Sequence, residues 1–338
     1  MNDSGSLDPA ARARRLSDEV LFPGALDVDA AEIVPVDRLD VLAEQGFYGL
    51  AGPASADGMG LPDLASGMEI IEILAGGCLT TTFVWIQHHG AVRALVESAS
   101  APLREEFLER MCRGQVRAGV AFSGLRRPGP PILTAAPDQD GWRLTGHAPW
   151  VTGWERIDVV RTAARRANGD IVWALVDAQA GPTLVATPQR LAAVNASATV
   201  TLTFSDHPVR ADRVIAVQPF EEWQARDRAS LRLNGSLPLG VAGRCATLLG
   251  SGPLLLEVSA RRSELDRASP EEMPAQRALA SELAMRAATT LVVAGGGRSI
   301  ATDQHAQRLA REAIFLLVFG QTSAIKAEQL DRLGRSAP

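Results

Sequence analysis

Two adjacent histidines, His88 and His89, stand in the apolar run TTTFVWIQHHGAVRALVES. Imidazoles invite metal binding or proton transfer. The run reads as a helix, however, and neighbours in a helix do not face each other, which argues against a bidentate metal site. The expectation is a satisfied, partly buried histidine, with one ring of the pair able to point toward a pocket. The other three histidines, His147, His207 and His305, lie in turns and suggest no role. Cys78, Cys112 and Cys245 are too scattered for a disulfide framework or a zinc pattern. In GHAPWVTG, Trp150 offers an indole and Thr152 a hydroxyl. Taken alone, that pair reads as a buried strand tryptophan beside an ordinary β-branched residue.

These groups must be positioned by 338 residues, a length that suggests two or three domains. The chain is 46% hydrophobic and 22% charged, which excludes intrinsic disorder. A formal net charge of −5 leaves no basic excess for gripping nucleic acid. No uninterrupted apolar run approaches the ~18 residues of a membrane span. MNDSGSLDPAARARRLSDEV has no signal-peptide hydrophobic stretch. Together with the unpaired cysteines, this predicts a cytoplasmic protein without a membrane partner.

The spacing predicts helices through the first third. RLDVLAEQGFYGL, LASGMEIIEILAGG, the histidine-bearing run and LREEFLERMCRG all carry helical periodicity, with glycines or prolines at their limits. After about residue 118 the pattern changes to short β-rich runs. In ATVTLTFSD, Val200, Leu202 and Phe204 alternate with threonines. From about Glu221 helices return. The expected fold class is therefore α+β, with an N-terminal helical domain (1–118), a small central β-barrel or sheet domain (119–220) and a C-terminal helical bundle (221–338).

This order of parts resembles the acyl-CoA dehydrogenase superfamily, and four stretches carry the resemblance: EQGFYGLAGPASADGMGL with EIIEILAGG, GHAPWVTG, TLTFSDHPVRADRVI, and AGGGRSIATDQHAQRLAREAIFLLVFGQT. The resemblance implies FAD between the β domain and the C-terminal helices, and oxidation of an acyl-CoA or acyl-carrier thioester. It further implies a homo- or hetero-oligomer and an electron-accepting flavoprotein as a possible partner. It gives cofactor contacts to Ser123, Trp150, Thr152, Gly296, Gly297 and Thr322. A plain helix C-cap at Gly296 and Gly297 and a helix N-cap at Thr322 are the alternatives. The motif after Ser123 departs from the family pattern and carries Arg126 and Arg127, which suit either a pyrophosphate or a solvated basic turn.

The family removes the α-proton with a glutamate in the segment matched by VFGQT, where this chain has Gly320. The position used by other members falls on Ser230. Neither is a carboxylate, so the catalytic base is unassigned. Glu312 matches an acidic position whose expected job is a local ion pair. The C-terminal part also lacks a helix motif that reaches a partner's cofactor and is expected to be shortened by about one helical hairpin. Three functions stay open on this reading. The chain is a flavin-dependent dehydrogenase with its base elsewhere, a flavin-dependent monooxygenase, or a non-catalytic subunit of a hetero-oligomer.

Overall fold

Asp8, Asp63, Ser100 and Ser251 each stand one residue before a helix, and each side chain accepts a first-turn backbone N–H. They begin α1 (Pro9–Leu16), α4 (Leu64–Gly77), α6 (Ala101–Cys112) and α9 (Gly252–Arg267); α2 (Ala25–Ala30), α3 (Val36–Glu44) and α5 (Leu79–Glu97) complete the N-terminal set. The computed structural model describes residues 8–229 and 231–334.

Eight strands follow in one sheet: β1 (Ala118–Ala121), β2 (Leu133–Asp138), β3 (Gly141–Val151), β4 (Val159–Arg165), β5 (Ile171–Asp177), β6 (Leu184–Pro188), β7 (Val200–Arg210) and β8 (Val214–Gln218). The sheet order is β6-β7-β3-β2-β4-β5-β8, with β1 paired in parallel to β4. The chain then turns helical again with α7 (Phe220–Ala229), α8 (Leu231–Leu248), α9, α10 (Met273–Gly295), α11 (His305–Val318) and α12 (Ser323–Gly334). The class is α+β, as the sequence predicts.

The three stretches are not three separate cores. Leu16, Ile71, Leu74 and Phe83 of the N-terminal helices share one core with Leu237, Leu283 and Leu316 of the C-terminal helices. A second cluster joins Val92, Leu95 and Phe107 to Trp173 of the sheet, and a third fills the sheet's other face. At one crossing, Gly240 of α8 lies so close to α4 that a Cβ would stand 2.2 Å from the Glu72 carbonyl oxygen. Only glycine permits that approach. Among the described residues, one helix (Met273–Ile300) is by length and composition long and apolar enough to cross a membrane. Glu282 and Arg286 interrupt its apolar sequence, and in the fold α10 packs on α8, α9, α11 and α12.

His88 fastens helices to sheet. Its Nδ1 accepts the Ala118 N–H at 3.1 Å, which leaves Nε2–H to donate to the Met111 carbonyl at 3.1 Å. Burial pushes its pKa from 6.5 down to about 3. The unfolded chain therefore takes up a proton near pH 6.5 that the folded chain refuses, so stability from this group is full above that pH and drains as pH falls. Between pH 6.5 and 5 the loss is about 2 kcal/mol, at ~1.4 kcal/mol per unit. His88→Gln should flatten this part of the profile, as read by urea denaturation at pH 7 and pH 5. Equal losses in variant and wild type would refute the assignment.

Candidate active site

Pro149 has no N–H to give to the β3–β7 ladder, and the register slips between Ala148 and Val151. The resulting bulge puts Trp150 at φ 64°, a left-handed conformation unusual for a bulky side chain. Its indole is turned out of the sheet and is 57% exposed. Ser123, in the turn after β1, secures the bulge by donating to the Pro149 carbonyl at 2.6 Å. Thr152 lies buried beyond the bulge, its hydroxyl 3.2 Å from that of Thr199, which in turn lies 2.8 Å from Ser197 Oγ. The expectation of a buried strand tryptophan is thus corrected: the bulge re-aims the ring.

Ser123, Trp150 and Thr152 share the wall of a cavity of about 1370 Å³ with Thr322 and Gly320. The cavity lies between the helices and the sheet, with Phe83, Phe315 and Phe319 among its apolar lining. Small-ligand pockets usually span ~300–1,000 Å³, so there is room for more than one small molecule. A second cavity of about 800 Å³ is also lined by Phe122, Arg126, Arg127 and Thr322. Thr322 Oγ1 accepts the Ile325 N–H at 3.2 Å and so caps α12 as well. Arg126 is neither a free phosphate ligand nor solvated; it holds Asp227 through two bonds of 2.8 and 2.6 Å. Arg127 is exposed. Gly296 and Gly297 lie away from both cavities, at the exposed end of α10, where an added Cβ would meet nothing within 4 Å. Gly296, at φ 62°, is the C-cap of that helix. Ser230 lies outside the described residues.

The loop after α11 is held from below. Arg277, buried in the core, donates to the carbonyls of Leu316 and Phe319 at 3.4 and 3.3 Å, and also to Ser281. A cation there complements the carbonyl end of α11. Burial lowers its pKa to about 10. Gly320 sits in this loop at φ 62°. A Cβ on it would stand 2.6 Å from the amide nitrogen of Asn234, which projects from α8 into the same cavity. Placing an L-residue in that conformation costs ~1–2 kcal/mol. Gly320→Ala and Gly320→Glu should therefore both lose about that much in urea denaturation, even though Glu restores a carboxylate. Wild-type stability in both would overturn the account.

Among the described residues, Asp63 is the one carboxylate lining the cavity. It caps α4, and hydrogen bonds from the Ser66 backbone and hydroxyl hold its pKa below the usual value. It is charged, engaged and a weak base. Glu312 makes the local pair the sequence suggested, accepting from Arg308 at 2.5 Å in the core. Arg311 pairs with Asp29. His89 lines the cavity with neither ring nitrogen hydrogen-bonded, and burial pushes its pKa well below 6.5. The satisfied-histidine expectation thus fits His88 and fails for His89. Sequence reasoning missed Asn234, which lies on α8 and lines the cavity.

Residues 8–115 match the family described as acyl-CoA dehydrogenase, N-terminal domain. The chain is 26% identical over 161 residues to 3-sulfinopropanoyl-CoA desulfinase of Variovorax paradoxus. That match covers 44% of this chain and 38% of the relative. Its fold matches that of butyryl-CoA dehydrogenase from Megasphaera elsdenii with a TM-score of 0.82, at 16% identity and 99% coverage of both chains. It also matches a glutaryl-CoA dehydrogenase from Mycobacterium smegmatis in complex with FADH2, with a TM-score of 0.79, 18% identity, and coverage of 98% of this chain and 95% of that one.

Proposed function

We propose that this chain, a member of the acyl-CoA dehydrogenase superfamily, binds FAD and an acyl thioester in the cavity beside Trp150. On this reading it is a flavin-dependent oxidoreductase in which no carboxylate at the loop takes the α-proton. One observation carries the reading: an indole forced out of its strand by a bulge, on the wall of a cavity large enough for cofactor and substrate together. A bulky residue in a left-handed conformation costs free energy, and such strain clusters at ligand sites. The neighbour holding FADH2 supports the choice of flavin.

The residues present fit that group. Trp150 offers a flat apolar face. Ser123 and Thr152 hold hydroxyls at the same wall, and each still has lone pairs to accept a donor. In the adjoining cavity, exposed Arg127 and the N-terminus of α12, behind Thr322, suit phosphate charge. When bound, FAD supplies a hydride acceptor. At the loop, the Asn234 amide can donate to a carbonyl oxygen and so polarise it, but it takes no proton.

The glycine at position 320 also favours a second reading, in which the lone chain binds ligand without turnover and serves a catalytic partner. An absorption spectrum with added FAD, followed by anaerobic titration with acyl-CoA esters, separates the two. Bleaching of the flavin band supports the oxidoreductase. A yellow protein that no ester bleaches supports the partner subunit. A protein that stays colourless with FAD sinks the flavin assignment.

A further inference from the structure

Arg161 projects from β4 into the gap between sheet and α5. Its guanidinium lies 3.8 Å from the centre of the Trp173 ring. A Cβ on Gly90 would be 3.8 Å from its Nη1, so the group abuts α5 at that glycine. Its Nε is buried without a hydrogen-bond partner. Among the described residues no carboxylate comes within 4.0 Å of Arg161 or of Arg93, whereas most other arginines of the cavity wall are paired: Arg126 with Asp227, Arg232 with Asp266, Arg311 with Asp29. Arg93 lies one turn beyond Gly90 on α5 and also lines the cavity. Burial, and then the charge of Arg93, lower the pKa of Arg161 to about 9.

A second observation lies on the same helix. His89 is one turn before Arg93, only 5% exposed, with both ring nitrogens unpartnered at the cavity wall. Leaving buried polar groups unmatched is costly, and a ligand group that satisfies them recovers the cost. Glu97 acts on Arg161 only from beyond 4.0 Å and is itself exposed, and Arg93 stands in solvent, so the buried guanidinium and imidazole have no close protein anion and call for one from outside.

We propose that Arg161 and Arg93, with His89 as a hydrogen-bond partner, form an anion subsite that selects acyl thioesters bearing a second acidic group, such as a carboxylate, on the acyl chain. The subsite gives a substrate class to the function proposed above and rests on it for the thioester. The planar guanidinium, already stacked on Trp173, is held ready for two-point contact with a carboxylate.

The test compares succinyl-CoA with butyryl-CoA, which have the same chain length and differ by one carboxylate, in calorimetric titration of the full chain. Wild type should bind succinyl-CoA at least tenfold more tightly. Arg161→Gln, and separately the exposed-site variant Arg93→Gln, should erase most of that ratio by weakening succinyl-CoA alone, while Arg161→Lys keeps part of it. Equal binding of both esters to wild type, or equal weakening of both in Arg161→Gln, overturns the subsite. Free succinate needs no thioester. If neither ester binds but succinate raises the melting temperature of wild type and not of Arg161→Gln, the anion subsite stands and the thioester reading falls. If succinate and both esters all leave wild type unaffected, the subsite falls too.

Discussion

Trp150→Ala should leave the chain folded and weaken FAD binding at least tenfold, read as loss of the flavin absorption band after gel filtration and as a raised Kd in titration. The fold is spared because the indole is 57% exposed and belongs to none of the three cores. Binding suffers because the indole is the largest flat apolar surface the strand offers to the cavity, and removing a stacking aromatic forfeits ~0.5–1.5 kcal/mol beyond its buried area. The buried area adds more, at ~25 cal/mol per Å². Trp150→Phe should recover part of the loss, because a ring is kept at the bulge. If Trp150→Ala keeps full flavin content, the indole does not face the cofactor and the proposed site is wrong.

Glu312→Ala should produce the largest loss of stability, about 3–5 kcal/mol, because it strands a charged guanidinium in the core. Arg308 and Glu312 are 1% and 2% exposed, one helical turn apart on α11, and their bond is 2.5 Å long. Around them lie the Phe22 ring and His305, whose Nδ1 is 3.4 Å from the Arg308 Nε. Both side chains are shut away from bulk solvent, which therefore does not take over from the lost carboxylate. The double variant Arg308→Met with Glu312→Leu should recover most of the loss, since apolar replacements of similar size remove both desolvation costs at once. Urea denaturation of the two variants beside wild type measures this, and a double variant as unstable as the single one would show that the pair contributes more than mutual neutralisation.

The element order was legible because it is local. Caps such as Asp63 and Ser100, the 3.6-residue spacing around Leu103, Phe107 and Met111, and the alternation of Val200, Leu202 and Phe204 each act within a few residues. The absence of a carboxylate at Gly320 is a fact of composition and needed no fold. Its consequence did, because Asn234 reaches the same spot from a helix 86 positions earlier in the chain. The two histidines make the same point at closer range. Nothing in HHG says that His88 meets the Met111 carbonyl and the Ala118 N–H while neither ring nitrogen of His89 finds a hydrogen-bond partner. Nothing in DVVRTAARR marks out Arg161; only the fold brings its side chain to Gly90 of α5.

By itself the sequence determined the helix–sheet–helix order, the residue types at the two usual base positions and the motifs that carry the family resemblance. The tertiary structure alone decided that the first and last helices share a core, that Trp150 faces outward, and which polar groups are left without partners. Periodicity reports which face of an element is apolar, within one turn or one strand. Which face of a distant element meets it depends on packing the whole chain, and partners for buried charges are chosen only there.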